Sequence, residues 1–196
     1  EEEKPALHWQ IGQLLKTNLG ETLGEKLFEV VDHLNQGRSI ATTTEVQMQL
    51  VRLNWQAGQQ AKLTTAYRTA AEYLHHSHHG LTPEHWQTAY ELTLSVHLEL
   101  VEVMYLCGDF DQMEAVAELV LQQARTHLDK VTVYEIRVQA YMTQALILKA
   151  IQTGREGLSL FAVEFPAKPT AADIASALAD TASRWQGRLI SELVCL

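Results

Sequence analysis

The chain has 196 residues, 46% of them hydrophobic, and carries 24 acids against 15 bases for a formal charge of −9. That length and apolar content exclude a disordered tail and suit one domain or a single repeat array. The bases are scattered, so the basic stripe that a nucleic-acid surface needs is absent, and no run of about 18 apolar residues offers a membrane span.

The first residues, Glu1-Glu2-Glu3-Lys4-Pro5, are unlike the basic and then apolar start of a signal peptide. With no initiator Met, the sequence reads as a piece of something longer. Cys107 and Cys195 stand far apart without CxxC spacing, the pattern of two reduced thiols in a cytosolic protein. The expected location is cytoplasmic, with neither nucleic acid nor membrane as a partner.

Helix signals follow one another along the chain and strand signals are almost lacking. Leu7, Ile11, Leu14 and Leu15 form a first apolar stripe at spacings of three and four. Thr22-Leu23-Gly24-Glu25 sets a capping oxygen three residues before an acid, opening a helix whose stripe is Leu27, Phe28, Val31 and Leu34 and whose stop is Gly37. Thr44-Glu45-Val46-Gln47 opens the next, with Leu50, Leu53, Ala57 and Ala61; Tyr67, Ala70, Ala71 and Leu74 follow, ending at Gly80. Thr82-Pro83-Glu84 is a further start, with a capping hydroxyl and then proline at the first helical position. Leu94, Leu98, Val101, Met104 and Tyr105 make a long stripe that stops at Gly108. Asp109-Phe110-Asp111-Gln112 caps the helix of Met113, Val116, Ala117 and Val120, and Thr132-Val133-Tyr134-Glu135 that of Val138, Tyr141 and Ala145. Pro166 and Pro169 then break the pattern before Thr170 opens an alanine-rich helix. Nine or ten short helices in an all-α fold are expected: an array over residues 1–165, and helices over 166–196 that cap its end.

The helices repeat. Aligning Gly58, Val101 and Val138 puts Ala70, Met113 and Ala150 in register twelve residues on, at intervals of 43 and 37 residues. Small residues such as Gly58 and Ala70 suit a close helix crossing. This pattern resembles the tetratricopeptide repeat, a helical pair of about 34 residues with small residues at fixed positions. Gly58, Ala61 and Ala70 fit it in one pair, Gly108-Asp109-Phe110 and Ala117 in the next, and Ala150 in the third, while Met113 stands where that family prefers alanine.

A second resemblance rests on "LHWQIGQLL" at 7–15, "LNQG" at 34–37, "AGQQAKLTTAYRTAAEYL" at 57–74, "LCGDFDQME" at 106–114 and "VEFPAKPT" at 163–170. These blocks resemble the helical region that follows the STAND-like ATPase module in multi-domain serine/threonine and histidine signalling kinases, best known from cyanobacteria. The resemblance implies a tetratricopeptide-like superhelix that connects a nucleotide switch to sensory output, with the adjacent ATPase, kinase or GAF domains as partners and with no catalytic residue or cofactor of its own.

The sequence itself carries no GxxxxGK[ST] phosphate loop, no GxGxxG and no HRD-type catalytic loop. "YLHHSHHGLTPEHW" at 73–86 gathers His75, His76, His78, His79 and His85. Helical spacing lets His75 and His79 share a face, but no cysteine or carboxylate completes a four-ligand zinc pattern, so a wetted helix end is the plainer assignment and metal a weak alternative. The carboxylate pairs Glu99 with Glu102 and Glu114 with Glu118 read as wetted faces, and Trp9 and Trp86 as packing anchors. In tetratricopeptide arrays the first helix of each pair lines a concave groove for partner segments. That geometry implies a groove of Arg52, Trp55, Gln59 and Lys62 from one pair, Leu98, Glu102 and Tyr105 from the second, and Glu135, Gln139 and Met142 from the third. The expected function is protein interaction and regulation inside a signalling ATPase/kinase. A freestanding adaptor or transcription-regulator module, or a histidine-cluster metal protein, are the alternatives.

Overall fold

The computed structural model describes residues 3–19, 24, 26–166 and 168–185. Among them the chain is all α, with ten α-helices and no strand. The cap expected at Thr22–Glu25 and the terminal stretch with Cys195 fall outside the described residues.

Helix α1 (Glu3–Leu19) runs antiparallel to α2 (Leu27–Gln36). The two meet at Gly37, where a Cβ would lie 2.7 Å from the Trp9 amide nitrogen. Half of the first apolar stripe faces outward: Leu7 and Leu14 are 57% and 62% exposed, while Ile11 is half-buried and Leu15 packs on the core. The face of α1 that meets α2 carries Gly12, packed against Leu34. A small residue that permits contact leaves no mark in a pattern of large apolar ones.

Helix α3 (Thr44–Leu63) is capped one residue earlier than expected, the Thr43 hydroxyl accepting from the Val46 amide. Three consecutive threonines at 42–44 repeat the same signal in neighbouring registers, and Thr43 has the extended backbone a cap requires. Helix α4 (Tyr67–His79) folds back on α3. At the crossing a Cβ on Gly58 would sit 2.6 Å from Cγ of Leu74, so glycine there sets how close the backbones come. A one-turn helix, α5 (His85–Thr88), leads into α6 (Tyr90–Cys107), which pairs with α7 (Phe110–Gln123). Asp109 caps α7 as the sequence suggests, accepting from the Gln112 amide.

Helix α8 (His127–Thr143) starts five residues before the Thr132 cap read from the sequence. Its capping box is Thr126 with Asp129, an Asp replacing the Glu or Gln of the usual signature. The buried face shifts accordingly to Val133, Ile136, Ala140 and Tyr141, with Ala145 left in the following turn. Helix α9 (Ile147–Ser159) runs back along α8, with Gly154 against Val138 and Gly157 against Tyr134.

Three hairpins share one turn. Thr65, Gly108 and Ala145 each take a left-handed conformation, at φ 60°, 76° and 58°. Behind each, two hydrogen bonds close a Schellman motif: Thr65 N to Lys62 O and Ala66 N to Ala61 O; Gly108 N to Tyr105 O and Asp109 N to Met104 O; Ala145 N to Met142 O and Leu146 N to Tyr141 O. The intervals between these turns, 43 and then 37 residues, are those of the sequence alignment of Gly58, Val101 and Val138.

Two apolar clusters form the interior. One gathers Leu27, Val30, Val31, Leu34, Leu53 and Ala57; the other gathers Leu74, Leu100, Val101, Met104, Met113 and Val133. Phe28 packs against both. By contacts the chain divides into unit Glu1–Gly157 and unit Leu158–Leu196. The second unit holds helix α10 (Ala171–Trp185), opened by a reciprocal pair in which Thr170 N donates to Asp173 and Asp173 N donates to Thr170. Its Ile174 and Leu178 are exposed. No helix among the described residues is long and apolar enough to cross a membrane.

Candidate functional site

The first helices of the three hairpins, α3, α6 and α8, lie in sequence-adjacent contact, α3 on α6 and α6 on α8. The residues assigned to a groove fall on this row in different ways. Lys62 Nζ reaches Glu99 at 2.5 Å and Glu102 at 2.7 Å, and Gln59 Nε2 donates to the other oxygen of Glu99 at 3.0 Å. Burial works against the ammonium charge, but the hydrogen bonds that Lys62 donates to Glu102 and Glu99 outweigh it and hold its pKa above the ordinary value. Glu102 is thus tied to Lys62 across the α3–α6 seam. Tyr105 OH meets Thr143 Oγ1 at 3.4 Å across the α6–α8 seam.

Trp55 and Leu98 are half-buried and packed on the apolar cluster, so they brace the row more than they line it. Arg52, Glu135, Gln139 and Met142 are exposed. The surface open to a partner therefore consists of Arg52 at one end and Glu135, Gln139 and Met142 at the other, with the Lys62 network between. Sequence reasoning missed the partners of that network. Glu99 and Glu114 are not simply wetted: Arg137 of α8 binds Glu114 at 2.9 Å and the exposed Glu118 at 3.2 Å on α7, and Tyr141 donates to Glu114. No local sequence signal marks them, because each cation lies on another helix, Lys62 37 residues from Glu99 and Arg137 23 from Glu114.

The histidines do not converge. Among the described residues no three His, Cys, Asp or Glu side chains come together to hold an ion. His85 turns to its own loop, its Nδ1 accepting from the Thr82 amide at 2.9 Å. His78 instead faces a histidine the cluster reading left out. His78 Nδ1 lies 3.1 Å from Nε2 of the buried His97, whose Nδ1 is 2.6 Å from the Thr93 carbonyl oxygen. A carbonyl only accepts, so His97 carries its proton on Nδ1, and its Nε2 must accept from His78 Nδ1–H. Burial, then the neighbouring imidazoles, hold the His78 pKa down to about 4; burial lowers that of His97 as well. Trp86 of α5 covers the His97 ring at 4.8 Å between centroids. With His97 buried and His78 half-buried, the pair is a neutral strut between α4 and α6.

A cleft of about 610 Å³ opens between helix α4 and two hairpin turns, lined by Arg68, Glu72 and His75 of α4, Cys107 and Asp109 of the second turn, and Gln144 of the third. Burial raises the Cys107 pKa and lowers that of His75. The thiol is therefore protonated and the imidazole neutral near pH 7, and the cleft holds no ready thiolate nucleophile. Hydrogen-bonding recognition is the chemistry these side chains offer. Searches of protein-family models, of curated proteins and of solved structures each give no match to this chain.

Proposed function

We propose that this chain is a non-catalytic protein-interaction and regulatory connector of a multi-domain signalling ATPase/kinase. On this reading it is a tetratricopeptide-like superhelix working in the cytoplasm, and it docks a segment of an adjacent domain against the row of α3, α6 and α8. The observation that supports the reading is the thrice-repeated hairpin turn, with the first helices of the hairpins in contact in chain order. Such a row moves as one body and offers a continuous strip of polar and apolar contacts, the means by which helical arrays hold extended segments. Arg52, Gln139 and Met142, free of the internal ion pairs, are the contacts of choice on that strip.

The test has two parts. An antibody to this domain measures the native protein beside the 22.0 kDa chain; a band several times larger is expected, and one near the chain's own mass would sink the connector reading in favour of a freestanding adaptor. The neighbouring domain, supplied in trans, should then bind the chain and lose binding to Arg52→Glu with Met142→Asp. Unchanged binding by that variant would remove this strip from the reading.

A further inference from the structure

The histidine-rich end of α4 has one property that its metal-like spacing hides: two of its imidazoles share a pocket with a cation. A pocket of about 190 Å³ lies between the 3-10 turn at Arg38–Ile40, the start of α3 and the end of α4. Arg38, His76 and His79 line it, together with the polar side chains of Asn35, Gln47 and Thr82, and no carboxylate is among its lining residues.

The uncharged polar groups there are largely spoken for. Asn35 exchanges two hydrogen bonds with the buried Asn54 at 2.8 Å each, and Gln47 Nε2 donates to the Ala41 carbonyl oxygen. These bonds fix the walls. The Arg38 guanidinium and the two imidazoles supply the donors. We infer that this pocket is a binding site for a small tetrahedral oxyanion of the phosphate class, held by Arg38 with His76 and His79.

The size agrees. A water molecule's share of liquid volume is about 30 Å³, so the pocket of about 190 Å³ accommodates one tetrahedral oxyanion with a few waters. The chemistry agrees as well. A guanidinium presents a planar fork of N–H donors that matches two phosphate oxygens, and imidazoles add charge-assisted hydrogen bonds as they take up protons. The groups that act on His76 are Arg38 from the 3-10 turn and Glu72, His75 and His79 from α4. Burial and then Arg38 disfavour its charged form; an anion between them would relieve that repulsion. The carbonyl end of α4 favours the cationic form of His76, and works against the anion itself. Binding is therefore expected to strengthen in mild acid.

The experiment titrates the full chain with inorganic phosphate, and in parallel with phenyl phosphate, at constant ionic strength set by chloride, following the His76 and His79 imidazole resonances. Saturable shifts at both residues are expected, with affinity falling about tenfold or more in Arg38→Gln. Arg38 is exposed, so this variant leaves the fold intact, and His76→Gln gives a second check. Phenyl phosphate binding as well as the free ion would point to an esterified phosphate; preference for the free ion would point to inorganic phosphate. Sulfate, whose charge does not change in the range, should bind more tightly at about pH 5.5 than at about pH 7.5. Absence of saturable shifts, or binding indifferent to Arg38→Gln, would overturn the assignment.

Discussion

Two seams join the successive hairpins, and they are built from different chemistry. Between α4 and α6 the polar contact is a neutral imidazole pair, His78 on His97, roofed by Trp86. Between α7 and α8 it is an ion pair, Arg137 with Glu114 and Glu118, extended by Tyr141. Apolar burial is alike on both sides, with Leu74 and Leu100 fully buried in one and Met113 and Val133 in the other. The seams thus share their driving force and differ in what acid does to them. A buried neutral histidine resists protonation, whereas a carboxylate beside a guanidinium resists neutralisation.

The largest effects should not distinguish the seams. Leu74→Ala and Met113→Ala each remove a buried side chain and should cost about 3 kcal/mol in denaturant unfolding; a much smaller loss at one of them would show that its seam is not closed in solution.

Acid is the next lever and separates them. An unfolded histidine takes up its proton near pH 6.5, while folded His78 holds out to about 4. Between those values the unfolded chain binds more protons, so stability is full above the upper one and falls as the pH drops towards the lower. The Glu118 pKa is lowered by its hydrogen bonds from Gln122 and Arg137, so its contribution is lost only in more acidic solution, as the pH falls through that depressed value. Amide exchange near pH 5 should open α4 and α6 before α7 and α8, and His97→Gln should flatten the decline. Equal opening of both seams would break the comparison.

Lys62→Glu would place a third carboxylate beside Glu99 and Glu102. It should cost about 2 kcal/mol, with Lys62→Gln milder and Glu102→Lys restoring part of the loss in the charge-reversed chain. The smallest effects belong to the turns. Non-glycine residues in the left-handed region carry roughly 1–2 kcal/mol of strain, partly offset by the unfolded-state entropy that glycine brings. Thr65→Gly and Ala145→Gly should each gain about 0.5 kcal/mol, and Gly108→Ala should lose about 1 kcal/mol. Calorimetric melting of the three variants checks both signs.

Much of the fold was legible in the residues. Large apolar side chains at spacings of three and four located α2, α3, α4, α6 and α7, because a helix buried on one face must show that face. The repeat interval was legible too, because Gly58, Val101 and Val138 each stand seven residues before a left-handed turn residue. The faces of α1 and α8 were legible only in part, through Leu15 and Tyr141. Gly12 makes its contact by having no side chain, and Asp129 completes a cap in place of the commoner Glu or Gln. The polar seams were hidden for another reason. Whether Glu99 meets water or Lys62 depends on a residue 37 positions away, and His97, isolated in sequence, gains its meaning only from His78 on another helix.

The two repeat intervals differ by more than helix length explains. Helices α4 and α6 have 13 and 18 residues, and α7 and α8 have 14 and 17. The excess sits almost wholly between His79 and Tyr90, where α5 lies, compared with the short link from Gln123 to His127. For anyone wishing to build longer arrays from this sequence, the piece to copy runs from Gly108 to Ala145, link included. The stretch around α5 is ornament to the repeat, and belongs in a copied module only if the histidine strut is wanted with it.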